Sequence, residues 1–231
     1  MSYRAVLFDL DGTLLDTLED LADSMNEALG RLGFAPHPAA AYKLFVGDGV
    51  VNLATRVLPD GHRDDATVAS VVKLMREIYG LHWADKTQPY PGVPELLDAL
   101  AERGMKTAVL SNKPHDSTTQ CVEKLLPNWR FDAVVGVSEA VPPKPDPRGV
   151  EQVVARLGVP REEFLYLGDT NTDMHTANGA GIFAVGALWG FRTAEELLAS
   201  GARALIEKPI ELLGLLDQVA CHDSRPKICK E

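Results

Sequence analysis

Two carboxylates end the first apolar run of the chain. In AVLFDLDGTLLD, residues 5–16, Asp9 and Asp11 follow four apolar positions and stand beside Gly12 and Thr13. Because Gly12 permits a tight backbone turn, both carboxylates can face the same ligand. Two acids this close repel each other unless a cation or a strong hydrogen-bond donor compensates. The stretch therefore predicts a functional site, and an ordinary Asp-Gly turn or cap is the structural alternative.

A second acidic pair follows a later apolar run. FLYLGDTNTDM places Asp169 at the end of a predicted strand and Asp173 four residues on, one turn into a helix. If these acids meet Asp9 at one edge of a sheet, they form a site of hard oxygen ligands, which suits Mg²⁺. A helix cap would explain Asp169 alone. It would not explain acids at the ends of two strands, so the pattern favours a magnesium site.

Two further segments carry residues suited to a phosphate group. AVLSNKP ends a predicted strand on Ser111 and Asn112, with Pro114 at a predicted helix start, so a hydroxyl and backbone N–H groups can meet an anion there. VPPKPDP holds Lys144 between prolines, unlike a freely solvated surface lysine. Each signal is weak alone. A constrained lysine near several acids indicates charge compensation at a site, and both segments follow successive predicted strands.

The elements that position these residues can be predicted from the apolar spacing. From residue 92 onward, short apolar runs alternate with helical patterns, which is typical of βαβ units, whereas residues 17–86 show helical spacing only. The predicted fold is α/β, a doubly wound Rossmann-like parallel sheet core with an inserted α-helical cap domain. The predicted domains are the core (1–16 and 87–220), the cap (17–86) and a polar tail (221–231). The predicted strands are YRAVLFD (3–9), KTAVL (106–110), FDAVVGV (131–137), FLYLG (164–168), IFAVGAL (182–188) and ALI (204–206).

An insertion next to the carboxyl end of the first strand would lie where open α/β sheets bind ligands, so we expect the cap to act as a lid.

Several helix ends are also marked by capping residues. The predicted helix boundaries are Pro94 to Gly104, a start at Asp146 (cap) and Pro147 (first position) with an end at Gly158, and a capping box from Thr193 to Glu196.

The composition limits the possible partners and compartments. The chain has 231 residues and a formal net charge of −10, which disfavours nucleic acid and anionic membranes as partners. Any anionic substrate must therefore be met by local cations or a metal. Cys121, Cys221 and Cys229 have neither zinc spacing nor the pattern of a disulfide framework. A reducing compartment fits this usage, and cytoplasm is the predicted localisation.

Taken together, the motifs resemble the haloacid dehalogenase superfamily, in its phosphatase branch. The likeness covers residues 3–217 and rests on FDLDGT (8–13), LSN (110–112), Lys144 in PPKPDP and GDTNTD (168–173), in that order. The helical insertion resembles the first cap type of that superfamily. Three strings are similar to phosphoglycolate phosphatases, a less specific likeness: VGDGVVNLATRVL (46–58), TQPYPGVPELLDAL (87–100) and LSNKP.

The resemblance implies a role for each motif residue. Asp9 would attack phosphorus and form an aspartyl-phosphate, and Asp11 would act first as acid and then as base. Mg²⁺ would be held by the side chains of Asp9 and Asp169 and by the backbone carbonyl of Asp11, with Asp173 in the outer shell. The remaining residues would bind the phosphoryl group, offset its charge or support the loop: Ser111, the backbone around Asn112, Lys144 and Thr13.

Within the superfamily, Asp11 also argues for phosphate esters, because dehalogenases lack an acid at that position. Residues 46–58 hold no obvious Schiff-base lysine, which counts against a phosphonate-cleaving relative, although Lys43 keeps that alternative open. Substrate choice is expected in the cap. Asp48, Asn52 and Arg56 are candidates to face the leaving group, and a turn of small residues joining two helices explains the same stretch equally well.

The favoured function is Mg²⁺-dependent hydrolysis of a small phosphomonoester, and 2-phosphoglycolate is the preferred candidate substrate. Alternatives within the superfamily are a pyrophosphatase, a nucleotidase and a phosphosugar mutase resembling β-phosphoglucomutase, which protects its phosphoenzyme from water. A non-enzyme alternative is a phospho-acceptor or partner-binding module. The sequence leaves both a monomer and a homodimer open.

Overall fold

The computed structural model describes residues 3–217 and 227–228, and the chain divides into two compact units. The smaller unit runs from Leu15 to Gln88, and the larger unit holds the residues up to Leu14 and from Pro89 onward. The strands are β1 (Ala5–Phe8), β2 (Leu15–Asp16), β3 (Gln88–Pro89), β4 (Lys106–Pro114), β5 (Ala133–Val137), β6 (Phe164–Gly168), β7 (Phe183–Ala187), β8 (Ala204–Ile206) and β9 (Lys227–Ile228). The helices are α1 (Leu18–Arg31), α2 (Tyr42–Phe45), α3 (Val50–Val57), α4 (Asp65–His82), α5 (Val93–Glu102), α6 (His115–Leu125), α7 (Arg148–Leu157), α8 (Asn171–Gly179), α9 (Ala194–Ala199) and α10 (Leu212–Leu216).

The larger unit is built on a parallel sheet of seven strands in the order β5-β4-β1-β6-β7-β8-β9. Strand β1 lies between β4 and β6, with Phe8 opposite Val109 on one side and Leu167 on the other. The chain fills one side of β1 with β4 and β5 and then crosses to fill the other side from β6 onward. The predicted doubly wound α/β fold is confirmed, and its topological switch point lies between β1 and β6.

The central strands are apolar because both faces of the sheet are covered. Every residue of β1 and of β6 is buried, which is typical of parallel sheets between helical layers. Helix α7 covers the sheet with Val150, Val153 and Leu157, spaced at three and four residues along one helix face. The core of this unit therefore holds β1 and β6 rigidly up to their carboxyl ends.

Two predicted boundaries differ from the structure. Strand β4 continues past Leu110 to Pro114, with a shift in its register against β5, so Ser111 and Asn112 lie within the strand. Helix α7 begins at Arg148, and Pro147 rather than Asp146 takes the capping position. The Asp146 carboxylate still accepts the N–H of Arg148, two residues on, at 3.0 Å, so it satisfies one of the N–H groups at the start of the helix.

Other helix ends match the predictions or lie close to them. Thr193 caps α9 and its hydroxyl accepts the N–H of Glu196, as the capping-box spacing predicts. Helix α5 ends at Glu102, just before the predicted stop at Gly104, and α7 ends at Leu157 with Gly158 as its cap in the left-handed region. The predicted polar tail lies outside the described residues except for β9, which pairs with β8.

The smaller unit is helical, with α1 packed against α4. Its interior contains a polar network in which the buried Tyr42 hydroxyl donates to Asn26 Oδ1 at 2.7 Å, and the same oxygen accepts the N–H of His37 at 2.8 Å. The buried Asp20 carboxylate accepts the N–H groups of Lys86 and Thr87 and the Thr87 hydroxyl. That carboxylate ties the end of the unit back to its first helix.

None of the helices described here is long and apolar enough to cross a membrane.

Candidate active site

Asp9 and Asp169 lie directly after the two strands that form the switch point. The Asp9 N–H donates to Leu167 O at 2.9 Å, which extends the ladder between β1 and β6 by one step beyond Phe8. Gly12 follows with φ at 89°, and a Cβ atom at this position would collide with the Asp169 carboxylate. A glycine is therefore required on both conformational and steric grounds, as the turn predicted after Asp11 suggests.

Three carboxylates converge at this edge of the sheet. Asp9, Asp169 and Asp173 are buried, and each offers a carboxylate oxygen within 4.8 Å of those of the other two. Burial and the neighbouring Asp173 charge raise the pKa of Asp9 to about 7, although Lys144 opposes the shift. Burial, Asp9 and Asp173 likewise raise the pKa of Asp169 well above its usual range. The cluster holds more negative charge than its surroundings neutralise, and its hard oxygen donors fit a divalent cation.

Lys144 supplies a buried positive charge to this cluster. Its Nζ donates to Asp9 Oδ1 at 2.8 Å and to Asp173 Oδ1 at 2.6 Å, and its side chain is 4% exposed. Burial disfavours the ammonium, but the two carboxylates outweigh that effect and raise the pKa of Lys144 well above its usual value. Lys144 therefore stays charged and links the ends of β1 and α8.

Protein donors occupy both oxygens of the Asp173 carboxylate. Tyr166 OH joins Lys144 on Oδ1, at 3.1 Å. The N–H and the hydroxyl of Thr170 donate to Oδ2 at 3.0 and 2.7 Å, and Thr170 caps α8 in a capping box with Asp173. Asp173 is therefore oriented by the start of the helix as well as by Lys144.

Asp169 is oriented by two segments that are distant in sequence. Thr13 Oγ1 donates to Asp169 Oδ1 at 2.9 Å, and the Phe191 N–H donates to Oδ2, also at 2.9 Å. Trp189 Nε1 donates to the Thr13 carbonyl at 2.9 Å, so the segment after β7 holds the loop after β1. A Cβ at Gly190 would collide with Asp169. The sequence prediction included Thr13 but not residues 189–191.

The end of β4 brings Ser111 and Asn112 to the same edge. Ser111 Oγ accepts the N–H of Lys113 at 3.1 Å. Asn112 Oδ1 accepts the N–H of Lys144 at 2.6 Å, and Asn112 Nδ2 donates to the Lys144 carbonyl at 3.4 Å. The Asn112 side chain thus fixes the backbone that carries Lys144.

Lys113 is a site residue that the sequence reasoning missed. Its Nζ donates to Asp11 Oδ1 at 2.6 Å, and the side chains of Lys113 and Asp11 are 8% and 22% exposed. The predicted strand stops at Leu110, and the register of β4 shifts after that residue, so strand alternation does not place Lys113 on the face of Ser111. What the sequence could not show was that the lysine reaches the loop after β1.

A family model for haloacid dehalogenase-like hydrolases matches residues 6–187. The chain belongs to this family. Its match begins within β1 and ends at the last residue of β7, so it spans the loop with Asp9, the Lys144 segment and the Asp169 segment. The predicted family is thereby confirmed.

This haloacid dehalogenase-like hydrolase is similar along nearly its whole length to curated phosphoglycolate phosphatases. It is 32% identical to that of Aquifex aeolicus over 214 residues, 93% of this chain and 97% of the relative. It is 35% identical to that of Rhodospirillum rubrum over 212 residues, 88% and 87% of the two chains. A crystal structure of a proposed phosphoglycolate phosphatase from Lactobacillus delbrueckii subsp. bulgaricus superposes with a TM-score of 0.89 at 31% identity, covering 94% of this chain and 99% of that one. The prediction that the chain is a phosphatase-type enzyme is confirmed.

The candidate residues of the helical unit form their own contacts within that unit. Arg56 forms an ion pair with Asp48, and its Nη1 donates to Phe45 O at 2.9 Å. Asn52 Nδ2 donates to the Asp48 carbonyl at 2.9 Å. Asp48 and Arg56 thus compensate each other's charge. Their role toward a substrate of this hydrolase stays a prediction.

Proposed function

We propose that the protein is a Mg²⁺-dependent phosphatase that hydrolyses 2-phosphoglycolate through an aspartyl-phosphate. The observation that carries the proposal is the convergence of Asp9, Asp169 and Asp173 with Lys144 at the switch point of a chain of this family. The similarity to phosphoglycolate phosphatases supports the choice of substrate.

In the first half of the reaction, a carboxylate oxygen of Asp9 forms a bond to phosphorus as the bond from phosphorus to the ester oxygen breaks. Asp11 gives its proton to the departing alkoxide. Asp11 stands two residues after the proposed nucleophile, past the end of β1, in the loop that turns at Gly12. Lys144 contacts Asp9 and remains charged, so it stabilises negative charge that gathers there.

In the second half, Asp11 takes a proton from water, and the water oxygen attacks the phosphorus of the aspartyl-phosphate. The bond from phosphorus to the Asp9 oxygen breaks, which releases inorganic phosphate and restores the carboxylate. Ser111 Oγ and the backbone N–H groups around Asn112 would bind phosphoryl oxygens during both halves.

The carboxylates at this edge of the sheet suit the predicted binding of Mg²⁺. Asp9 and Asp169 would bind the ion through their side chains and Asp11 through its backbone carbonyl. Asp173 suits the outer shell, because four protein donors already occupy its two oxygens. Thr13 Oγ1 and the Phe191 N–H would keep Asp169 in place. A bound Mg²⁺ would neutralise phosphate charge and so allow the anionic nucleophile to approach.

The proposal is tested by measuring phosphate release from 2-phosphoglycolate, pyrophosphate, nucleoside monophosphates and hexose phosphates, each with Mg²⁺ and with a chelator. We expect a Mg²⁺-dependent preference for 2-phosphoglycolate of orders of magnitude. Preference for pyrophosphate or a nucleotide would replace the substrate but keep the reaction. Isomerisation of a hexose phosphate without net phosphate release would replace hydrolysis with mutase activity, and activity that is unchanged by the chelator would overturn the magnesium assignment.

A further inference from the structure

Lys113 forms hydrogen bonds to residues of the candidate site through both its backbone and its side chain. The N–H of Lys113 donates to Ser111 Oγ at 3.1 Å, and its ammonium donates to Asp11 Oδ1 at 2.6 Å. The side chain is 8% exposed. An ammonium so far removed from water is costly unless anions compensate it, which distinguishes Lys113 from a surface lysine.

Three cations, Lys144, Arg56 and Lys113, differ in the groups that they contact. Lys144 is 4% exposed and lies between the carboxylates of Asp9 and Asp173, where it serves the nucleophile. Arg56, the predicted partner of the leaving group, forms an ion pair with Asp48 in the helical unit. Lys113 instead contacts Asp11, the group that hands a proton to the leaving oxygen in the proposed reaction. In that proposed reaction, the Lys113 ammonium would lie next to the leaving group.

We infer that Lys113 is a specificity-determining residue that binds a second anionic group of the substrate, a carboxylate one carbon away from the ester oxygen. The inference rests on the proposed function, because it takes Asp11 as the residue that meets the ester oxygen. One methylene separates that oxygen from the carboxylate of 2-phosphoglycolate, so the carboxylate falls within reach of a cation that already touches Asp11. An ammonium carries three N–H donors, and one lysine can contact Asp11 and a substrate oxygen together.

The same geometry explains how the sheet unit can contribute to substrate choice. A carboxylate on the leaving group meets Lys113, whereas an alcohol of equal size leaves the buried ammonium without that charge partner. Phosphate esters with a neutral leaving group are therefore the poorer class of substrate.

The test compares two esters that differ at one group. Steady-state kcat/KM is measured for 2-phosphoglycolate and for 2-hydroxyethyl phosphate, which replaces the carboxylate with a hydroxymethyl group, in the wild-type protein and in Lys113→Met and Lys113→Arg. We expect Lys113→Met to lower the ratio of the two kcat/KM values by about tenfold to hundredfold, the range for one hydrogen bond to a charged group. Lys113→Arg retains the charge and restores part of the ratio. Lys106→Met is the matched control, since Lys106 lies on the same strand in a surface ion pair with Asp132 and should leave the ratio unchanged.

The outcomes separate this inference from the function on which it rests. If Lys113→Met slows both esters by the same factor, Lys113 only positions Asp11 and the inference is overturned while the proposed function stands. If the wild-type protein hydrolyses the two esters with equal kcat/KM, it has no preference for the carboxylate, and the inference is overturned. If it hydrolyses neither ester, the proposed function fails first. Thermal unfolding of each variant is followed by circular dichroism, and Lys113→Gln, which also removes the charge, takes the place of Lys113→Met should the methionine variant not fold.

Discussion

The Asp9 carboxyl group links the chemistry of the site to the stability of the fold. Burial and the charge of Asp173 raise its pKa from 3.8 to about 7. Between these two values the folded protein holds a proton that the unfolded chain has lost. The contribution of Asp9 to stability is therefore largest below about pH 4 and declines as the pH rises toward 7. Ionising Asp9, the proposed nucleophile, thus costs folding free energy when no metal is bound.

Asp9→Asn removes this dependence along with the proposed nucleophile. We expect turnover to be abolished and, in the presence of a chelator, the variant to gain stability relative to the wild type as the pH rises from 5 to 8. The slope is at most about 1.4 kcal/mol per pH unit, the limit for one proton. Urea unfolding of both proteins at the two pH values measures the difference.

The control for this experiment is Asp146→Asn. The hydrogen bond from the Arg148 side chain lowers the pKa of Asp146 to about 2, so this carboxylate is ionised in both states throughout the range. Its stability difference from the wild type should stay constant between pH 5 and 8. An Asp9→Asn difference that is equally constant would show that Asp9 ionises in the folded protein without cost.

Lys144 is the residue whose loss should damage the fold most directly. Lys144→Met leaves the Asp9 and Asp173 carboxylates buried without the ammonium between them, and breaking a buried pair in this way costs about 3–5 kcal/mol. We expect the double variant with Asp173→Asn to be more stable than Lys144→Met alone, because one of the uncompensated charges is removed. Chemical unfolding of the two single variants and the double variant gives the coupling. Lys106→Met, which breaks a surface pair, should cost only about 0–1 kcal/mol, and a similar cost at Lys144 would contradict the assignment.

At the scale of elements, the segment after β7 determines the geometry of Asp169. The Phe191 N–H holds one carboxylate oxygen, and Trp189 holds the Thr13 carbonyl of the neighbouring loop. Gly190 stands between them, where a Cβ would collide with Asp169. We expect Gly190→Ala to displace Asp169, weaken metal binding and lower kcat about tenfold to hundredfold, the usual cost of disturbing a group that orients a metal ligand.

Gly190→Ala is checked by the rise in melting temperature on adding Mg²⁺, which reports metal binding without any need for turnover. Gly179→Ala is the matched variant, because Gly179 ends α8 and a Cβ there meets nothing within 4 Å. The Gly179→Ala variant should show the same rise in melting temperature on adding Mg²⁺ as the wild type, and it should lose no stability. An equal metal response in both variants would show that the segment after β7 does not constrain Asp169.

The sequence predicts the elements better than the contacts between them. Asp9 and Asp169 could be assigned to one site because each ends an apolar strand, and parallel strands present their carboxyl ends at one edge. Lys113 could not, because nothing local tells which loop a long side chain reaches. Phe191 was beyond prediction for a different reason, since it acts through a backbone N–H that any residue but proline carries.

At the scale of the whole molecule, the two units differ in how far sequence patterns determine them. The doubly wound parallel sheet of the larger unit follows from its alternating strands and helices, and β1 lies between β4 and β6 in it. The helical unit was predicted from apolar spacing, but its polar interior was not. Tyr42, Asn26 and His37 meet through hydrogen bonds between segments with no periodic relation, so no spacing rule reveals them.

The division into two units predicts how metal binding should affect stability across the chain. The carboxylates of the cluster all lie in the larger unit, while the smaller unit has its own core around Met25, Leu29 and Met75. A ligand stabilises only the states that bind it, in proportion to its concentration over its dissociation constant. We expect Mg²⁺ to slow amide exchange in peptides from β1, β6 and α8 and to leave peptides from α1 and α4 unchanged.

Hydrogen exchange followed by mass spectrometry, with and without Mg²⁺, makes this comparison in one experiment. Asp169→Asn should abolish the slowing in the larger unit, because it removes the charge of a proposed metal ligand that directly follows β6 while keeping the size of the side chain. If Mg²⁺ slows α1 and α4 as much as β1 and β6, the two units open as one cooperative block. Slowing confined to the larger unit means that the helical unit can open while the carboxylate cluster stays protected, so the two units are independent in stability.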